Sequence, residues 1–257
     1  MVTVIGILAV GAVFAIVSNS VIDRIPQSQS VIWPGPYCRS CAATLTWKDI
    51  IPLYSYIRSR GKCPYCGSPI PVRNLVVEVA EISWVALFVI KFGWSYQALL
   101  ELMFGMGLIA VIVIQLESRR LSDLVLLLLG MLTLIYLLAF KSEGVPMSIA
   151  SLGMGGGLLL LYNLLSVVSG ARSRMEVAEI KLGAILGLFL GYPYVLLCIF
   201  LAVFGGASLA SFRIKFQKVD VRESIPEFAV IMATAGLVTV LFGQDLMALY
   251  RLIIGVA

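Results

Sequence analysis

Trp33-Pro-Gly-Pro-Tyr-Cys38-Arg-Ser-Cys41 and Cys63-Pro-Tyr-Cys66-Gly lie inside the one long polar stretch, Trp33 to Glu78, of a chain that is otherwise mostly apolar. Each holds a Cys-x-x-Cys pair in a turn-rich setting. Cysteines three apart can put both sulfurs on one metal ion, and two such pairs complete a tetrahedral four-thiolate zinc site. The 21 residues between Cys41 and Cys63 fall just past the usual window of about 15–20 for this pattern. The competing arrangement, two disulfides, needs an oxidising compartment. The side of the membrane on which the stretch lies therefore decides between them.

Around this insert the 257 residues are 60% hydrophobic and only 13% charged, with mean hydropathy +1.01. A soluble domain is nearer 45–50% apolar and about 25% charged, so the chain reads as a polytopic membrane protein. Its +5 net charge does not point to nucleic acid, because the basic residues are scattered through loops and form no strip. There is no histidine, which excludes Ser/His/Asp and Cys/His catalysis and histidine-ligated metals. Chemistry must come from carboxylates, thiols, hydroxyls or lysines. The first apolar run, Val2 to Val17, has no basic segment before it, and Ser18-Asn19-Ser20-Val21-Ile22 is a poor cleavage site; it reads as an uncleaved first span.

Apolar segments long enough to cross a bilayer run over about 2–22, 75–93, 97–115, 121–140, 147–169, 177–191, 193–213 and 227–250. The expected fold is all-α and polytopic, with about eight transmembrane helices and a zinc-knuckle insert between helices 1 and 2. Residues 1–95 form one expected domain, with the first span, the four-cysteine loop and the second span. Residues 96–257 form a second, of six spans. Glycines four apart, Gly183, Gly187 and Gly191, with Gly153, Gly155, Gly156 and Gly157 in the preceding span, predict close helix packing within the bundle. Cys198, in mid-span, reads as a packing residue.

Lysine and arginine fix the direction. Loop 1–2 holds Arg24, Arg39, Lys48, Arg58, Arg60, Lys62 and Arg73; loop 3–4 holds Arg119 and Arg120; loop 5–6 holds Arg172, Arg174 and Lys181; loop 7–8 holds Arg213, Lys215, Lys218 and Arg222. The opposite side has only Lys91, Lys141 and Arg251, which completes the 19 basic residues. This asymmetry predicts both termini outside and the cysteine loop in the cytoplasm. Cytoplasmic thiols stay reduced, which favours zinc over disulfides. Carboxylates just inside an apolar run are costly and invite a functional reading: Glu78, Glu81, Glu179 and Glu227 qualify, as does the amide of Gln115.

Several stretches together resemble the bacterial type IV prepilin peptidases, membrane aspartic proteases of the GxGD class. They are Asn19-Ser-Val-Ile-Asp-Arg-Ile-Pro26, the first knuckle Ile32 to Cys41, Trp47-Lys-Asp-Ile-Ile-Pro-Leu-Tyr-Ser-Tyr56, the second knuckle Arg60 to Ile70, and Arg73-Asn-Leu-Val-Val-Glu78. The resemblance implies a bacterial inner-membrane enzyme that cleaves leader peptides of prepilins or pseudopilins at the cytoplasmic face. It further implies methylation of the new N-terminus from S-adenosylmethionine. No glycine-rich nucleotide loop is present, so this cofactor rests on the resemblance alone. Structural Zn2+ on Cys38, Cys41, Cys63 and Cys66, membrane lipid around the spans, and leader contact by Glu78, Glu81 and Lys181 belong to the same expectation. Nothing in the sequence sets an oligomeric state.

The protease motifs depart from the family. Where it has aspartate at the end of the third span, this chain has Gln115, within Ile114-Gln-Leu-Glu117; where it has M-G-x-G-D-V-K-L, this chain reads Met175-Glu-Val-Ala-Glu179-Ile-Lys-Leu182. An aspartic protease needs two carboxylates that share a proton. Gln115 cannot titrate, and the longer arm of Glu179 moves its oxygens by about 1 Å, a displacement that can cost about 10²-fold in an intact site. Glu117 lies roughly 200° around the helix from Gln115, and Asp123 lies beyond the turn. The alternative to a peptidase is therefore a catalytically inactive family member that binds prepilins or assists assembly.

Overall fold

The apolar runs end where the chain offers a stop. Gly93 and Gly191 take left-handed backbone, with φ of 71° and 74°, and each donates its N–H to a carbonyl four residues back, closing a helix. Ser95 opens the next helix by accepting from Ala98 N at 3.0 Å. A computed structural model describes residues 2–27, 29–30, 35, 37–38, 40–46, 49, 52–141, 144–168, 175–217 and 228–254. Glu227 and the Trp47-Lys48 part of the motif lie outside the described residues.

Among the described residues the α-helices are α1 (Val2–Arg24), α2 (Pro52–Ser59), α3 (Val72–Phe92), α4 (Tyr96–Ser118), α5 (Asp123–Phe140), α6 (Val145–Val168), α7 (Val177–Leu190), α8 (Tyr194–Phe212) and α9 (Phe228–Ile254). The eight apolar runs coincide with α1 and α3 to α9, and α2 lies within the polar stretch. Six of the eight are long and apolar enough to cross a membrane by themselves. The other two are α3, whose 21 residues carry Arg73, Glu78, Glu81 and Lys91, and α7, which has 14 residues. At 1.5 Å per residue α7 covers only about 21 Å, short of a bilayer core of about 30 Å.

The helices divide into two units, Met1–Trp94 and Ser95–Ala257. In the first, α1 packs along α3, and α2 rests on α3. A Cβ at Gly11 would come within 2.8 Å of Ile82, so the two helices meet there at glycine distance. In the second unit, α6 and α7 make the most extensive contact. A Cβ on Gly155 would lie 2.2 Å from the Gly183 carbonyl oxygen, and one on Gly187 2.2 Å from that of Ser151. The obstacle is backbone and cannot rotate away. Helices α4 and α8 pack on α9, and α5 bridges α4 and α7. Phe104, Leu108, Ile114, Leu182, Leu186 and Met232 fill the core. Leu127, Leu134 and Leu138 on α5, Leu160 and Leu161 on α6, and Phe200 and Phe204 on α8 face outward. Such continuous apolar exposure suits lipid rather than water.

Candidate functional site

Each Cys-x-x-Cys folds back on itself in the same way. Cys38 N–H donates to Ala43 O at 2.9 Å and Cys38 O accepts from Ala42 N at 2.8 Å; Cys63 N–H donates to Ser68 O at 2.8 Å and Cys63 O accepts from Gly67 N at 2.9 Å. Antiparallel bridges, Tyr37 to Thr44 and Lys62 to Pro69, close the base of each knuckle. The two turns bring all four sulfurs within 4.8 Å of one another, with Cys38 and Cys66 Sγ 3.9 Å apart. A tetrahedral zinc with Zn–S of about 2.3 Å requires sulfurs about 3.8 Å apart, so the set fits a zinc knuckle. All four are free thiols. The Cys41 N–H chiefly lowers the Cys38 thiol, to about 6. The Ala43 N–H draws Cys41 down, but desolvation and the Cys66 and Cys38 sulfurs push it up to about 11.

Beneath the knuckles, where α1 and α3 emerge, lies a cavity of about 390 Å³. Its walls include Asn19, Asp23, Tyr37 and Asn74, with Cys38 and Cys63 on the knuckle side. Arg73 pairs with Asp23. Arg24 donates to the carbonyls of Ser30 (3.1 Å) and Gly35 (3.0 Å) and lies over the Tyr37 ring. Asn19 is 8% exposed; its Nδ2 donates to Asn74 O at 3.3 Å, while its Oδ1 has no partner. Deeper along the same helices, Ser18 Oγ donates to Glu81 Oε1 at 2.8 Å, and both Glu81 and Glu78 are buried.

In the second unit, Gln115 and Glu179 reach the same end of the bundle. Helices joined by short turns alternate in direction, so α4 and α7 run antiparallel, and Phe104 stacks on Phe189 at 3.7 Å between ring centroids. From that contact Gln115 and Glu179 lie about 16 and 15 Å along their axes. Gln115 is buried in the last turns of α4, and its Oε1 has no partner. Glu179 is engaged by backbone. Its Oε2 accepts from Glu176 N at 3.0 Å, forming a capping box with Glu176 at the start of α7. Its Oε1 accepts from Ala229 N, in the first turn of α9, at 3.2 Å. One carboxylate thus caps two helix N-termini, whose free N–H groups and dipoles favour an anion. Glu117 is exposed where Gln115 is buried, as the 200° separation predicts. Asp123 is held by Lys181 Nζ at 2.6 Å, with both side chains half-exposed or more.

Residues 9–92 match the family model described as Bacterial Peptidase A24 N-terminal domain. The prepilin leader peptidase/N-methyltransferase of Stutzerimonas stutzeri is 31% identical over 228 residues, 84% of this chain and 75% of that protein. This chain belongs to that family. The prepilin leader peptidase/N-methyltransferase of Bacillus subtilis is 27% identical over 88% of this chain and 89% of its own length, and that of Myxococcus xanthus is 38% identical over 79 residues. No solved structure matches. Family membership and the six apolar helices make the chain a multi-pass inner-membrane protein.

In this prepilin peptidase family member, the residues expected from sequence to contact a leader stand as follows: Glu78 and Glu81 are buried, at 1% and 0% exposure, and the half-exposed Lys181 pairs with Asp123. Sequence reasoning missed the cavity. Its signal was the polar run Asn19, Ser20 and Asp23 directly after the first apolar span, matched by Asn74 at the start of α3.

Proposed function

We propose that this chain takes type IV pilin-like precursors at the cytoplasmic face of the inner membrane and acts on them by its family's reactions, leader cleavage and N-methylation. The supporting observation is a family match that runs through both helical units together with a four-sulfur cluster of tetrahedral size. In this reading residues 1–95 carry a structural Zn2+ on Cys38, Cys41, Cys63 and Cys66, and residues 96–257 carry the protease-like bundle. The distribution of Lys and Arg supports a cytoplasmic knuckle and outward termini. Lys181, at the exposed end of the bundle, is the residue we assign to leader contact. The buried Glu78 and Glu81 are assigned to holding α1 against α3. When bound, S-adenosylmethionine supplies an electrophilic methyl group; its transfer to an amine turns sulfonium into thioether and leaves the positive charge on nitrogen.

The peptidase step would fall to Gln115 and Glu179, and the contacts of these two residues are the ground for a second reading. Glu179 is spent on the N–H groups of Glu176 and Ala229, and Gln115 offers no proton to share. In that second reading the chain retains precursors without cutting them. Membranes containing the chain, incubated with a pilin-like precursor of the same genome, decide between the two. A shortened product supports the peptidase; capture at full length supports the binding or assembly protein. Neither capture nor shortening sinks both. If the chain only captures, the combined substitutions Gln115→Asp, Glu179→Asp, Glu176→Gly and Ala178→Gly are expected to raise cleavage from background.

A further inference from the structure

We propose that the end of α8 away from Tyr194 is a docking site for an anionic phospholipid, whose headgroup phosphate meets Arg213 and Lys215. Helix α8 does not stop at Phe212 but runs into a five-residue π-helical turn, Arg213–Gln217. Tyr194–Phe216 form one apolar stretch of 23 residues, about 34 Å long, against a bilayer core of about 30 Å. With Tyr192 and Tyr194 at one boundary, where aromatic rings collect, Arg213 to Phe216 stand at headgroup level on the other side. The same end stands clear of the bundle. Helix α8 runs antiparallel to α9, with Tyr194 beside Gly243 and Gly206 beside Ile231. Helix α9 begins at Phe228, only three residues before that last contact. Helix α8 and its π turn therefore continue about two turns past the start of α9.

The projecting surface carries both halves of a lipid contact. Phe212, Ile214 and Phe216 are exposed and continue the outward strip of Phe200 and Phe204, which suits acyl chains. The Phe212 and Phe216 rings lie 4.8 Å apart between centroids, and Lys215 Nζ lies 5.8 Å from the centre of the Phe216 ring. The aromatic pair thus holds an ammonium at the edge of the apolar stretch. Among the described residues neither Arg213 nor Lys215 meets a carboxylate, whereas Arg73 pairs with Asp23 and Lys181 with Asp123. A phosphodiester with no choline to balance it supplies the missing counter-charge. At an anionic bilayer surface each Lys or Arg is favoured about fivefold. The sequence beyond adds Lys218 and Arg222 against Asp220 and Glu223, so the surplus positive charge of the stretch is that of Arg213 and Lys215. A soluble acidic partner suits the patch less, because Phe212 and Phe216 belong to the membrane-spanning stretch and are reached through lipid. The site does not depend on which reaction the chain performs.

The test is made on the full chain in nanodiscs with equal amounts of phosphatidylglycerol and phosphatidylcholine. One of the two lipids at a time carries a photoactivatable group beside its glycerol. Phosphatidylglycerol is expected to label peptides from residues 207–217 about tenfold more than phosphatidylcholine does, while the two label Leu127 to Leu138 of α5 alike. Arg213→Gln combined with Lys215→Gln is expected to bring the ratio at 207–217 close to that along α5. Salt gives a measurement that needs no substitution and stands even if the double variant does not fold. At about 0.5 M the screening length falls to about 4 Å, and the preference of the unaltered chain should fall with it. Equal labelling by the two lipids at 207–217, the same preference along α5, or a preference that survives both the double substitution and high salt overturns the assignment. Equal labelling together with protection of Lys215 from an amine-modifying reagent only when a pilin-like precursor is bound would also overturn it, and would give the patch to the precursor.

Discussion

Ala42 holds the left-handed backbone, φ 56°, that Gly67 holds at the equivalent place in the second knuckle, φ 72°. The hydrogen bonds around the two are the same, so the difference is only the Cβ. A non-glycine residue in this region costs about 1–2 kcal/mol, offset in part by glycine's extra chain entropy of about 0.5–1 kcal/mol. Ala42→Gly should therefore stabilise the knuckle by about 0.5–1 kcal/mol, and Gly67→Ala should destabilise it by a similar amount, read from the chelator concentration that strips the metal. No atom lies within 4 Å of a Cβ built at Gly67, so a clash cannot explain the loss. The thiols give a second expectation. Only a thiolate attacks an alkylating agent, and a thiolate engaged by a metal is no longer free to do so. Bound zinc should therefore protect Cys38, Cys41, Cys63 and Cys66 from alkylation at pH 7, and equal rates before and after chelation would refute the cluster as a metal site.

At the scale of elements, Glu179 joins the starts of α7 and α9. Glu179→Ala leaves the buried N–H of Ala229 without its acceptor, at about 1–3 kcal/mol, and removes the cap on the part-buried N–H of Glu176. Thermal unfolding in detergent should show it as the most destabilising change at this position. Glu179→Gln keeps one acceptor oxygen and loses the charge that two helix dipoles favour, so its loss should be about 1 kcal/mol. Equal stability of all three forms would mean that the clasp carries no load. This contact also shows where the sequence stops being informative. The eight apolar runs, the glycine-lined meeting of α6 and α7, and the pairing of two Cys-x-x-Cys turns all follow from local spacing. They were readable because a period, a Cβ or a turn is a property of a few neighbouring residues. The link from Glu179 to Ala229 spans 50 residues, and the cavity is walled by α1, α3 and both knuckles. Neither has a local pattern. The burial of Glu78 and Glu81 was hidden for the same reason: an acid inside an apolar run signals expense, but only the packed neighbour tells whether Ser18 or a substrate meets it.

At the scale of the molecule, zinc should matter to one unit and not the other. Among the described residues between Tyr37 and Pro71 few apolar side chains are buried, Cys63 being the clear case, and their order rests on two short bridges, a handful of turn hydrogen bonds and an eight-residue helix. Segments of that kind draw their folding free energy from the metal, and removal unfolds them. Ser95–Ala257, by contrast, holds a core of its own, from Phe104 through Leu186 to Met232, and the glycine contacts of α6 with α7. Hydrogen exchange on the chain in nanodiscs, before and after chelation, should lose protection at Cys38, Ala42, Cys63 and Gly67, whose N–H groups close the knuckles. The amides of α4 to α9 should keep theirs, because local opening follows local contacts. Acid should mimic the chelator, since each ligand must be deprotonated to bind. Loss of protection across α4 to α9 on chelation would show the metal supporting the whole molecule, and the division into two independently held units would be wrong.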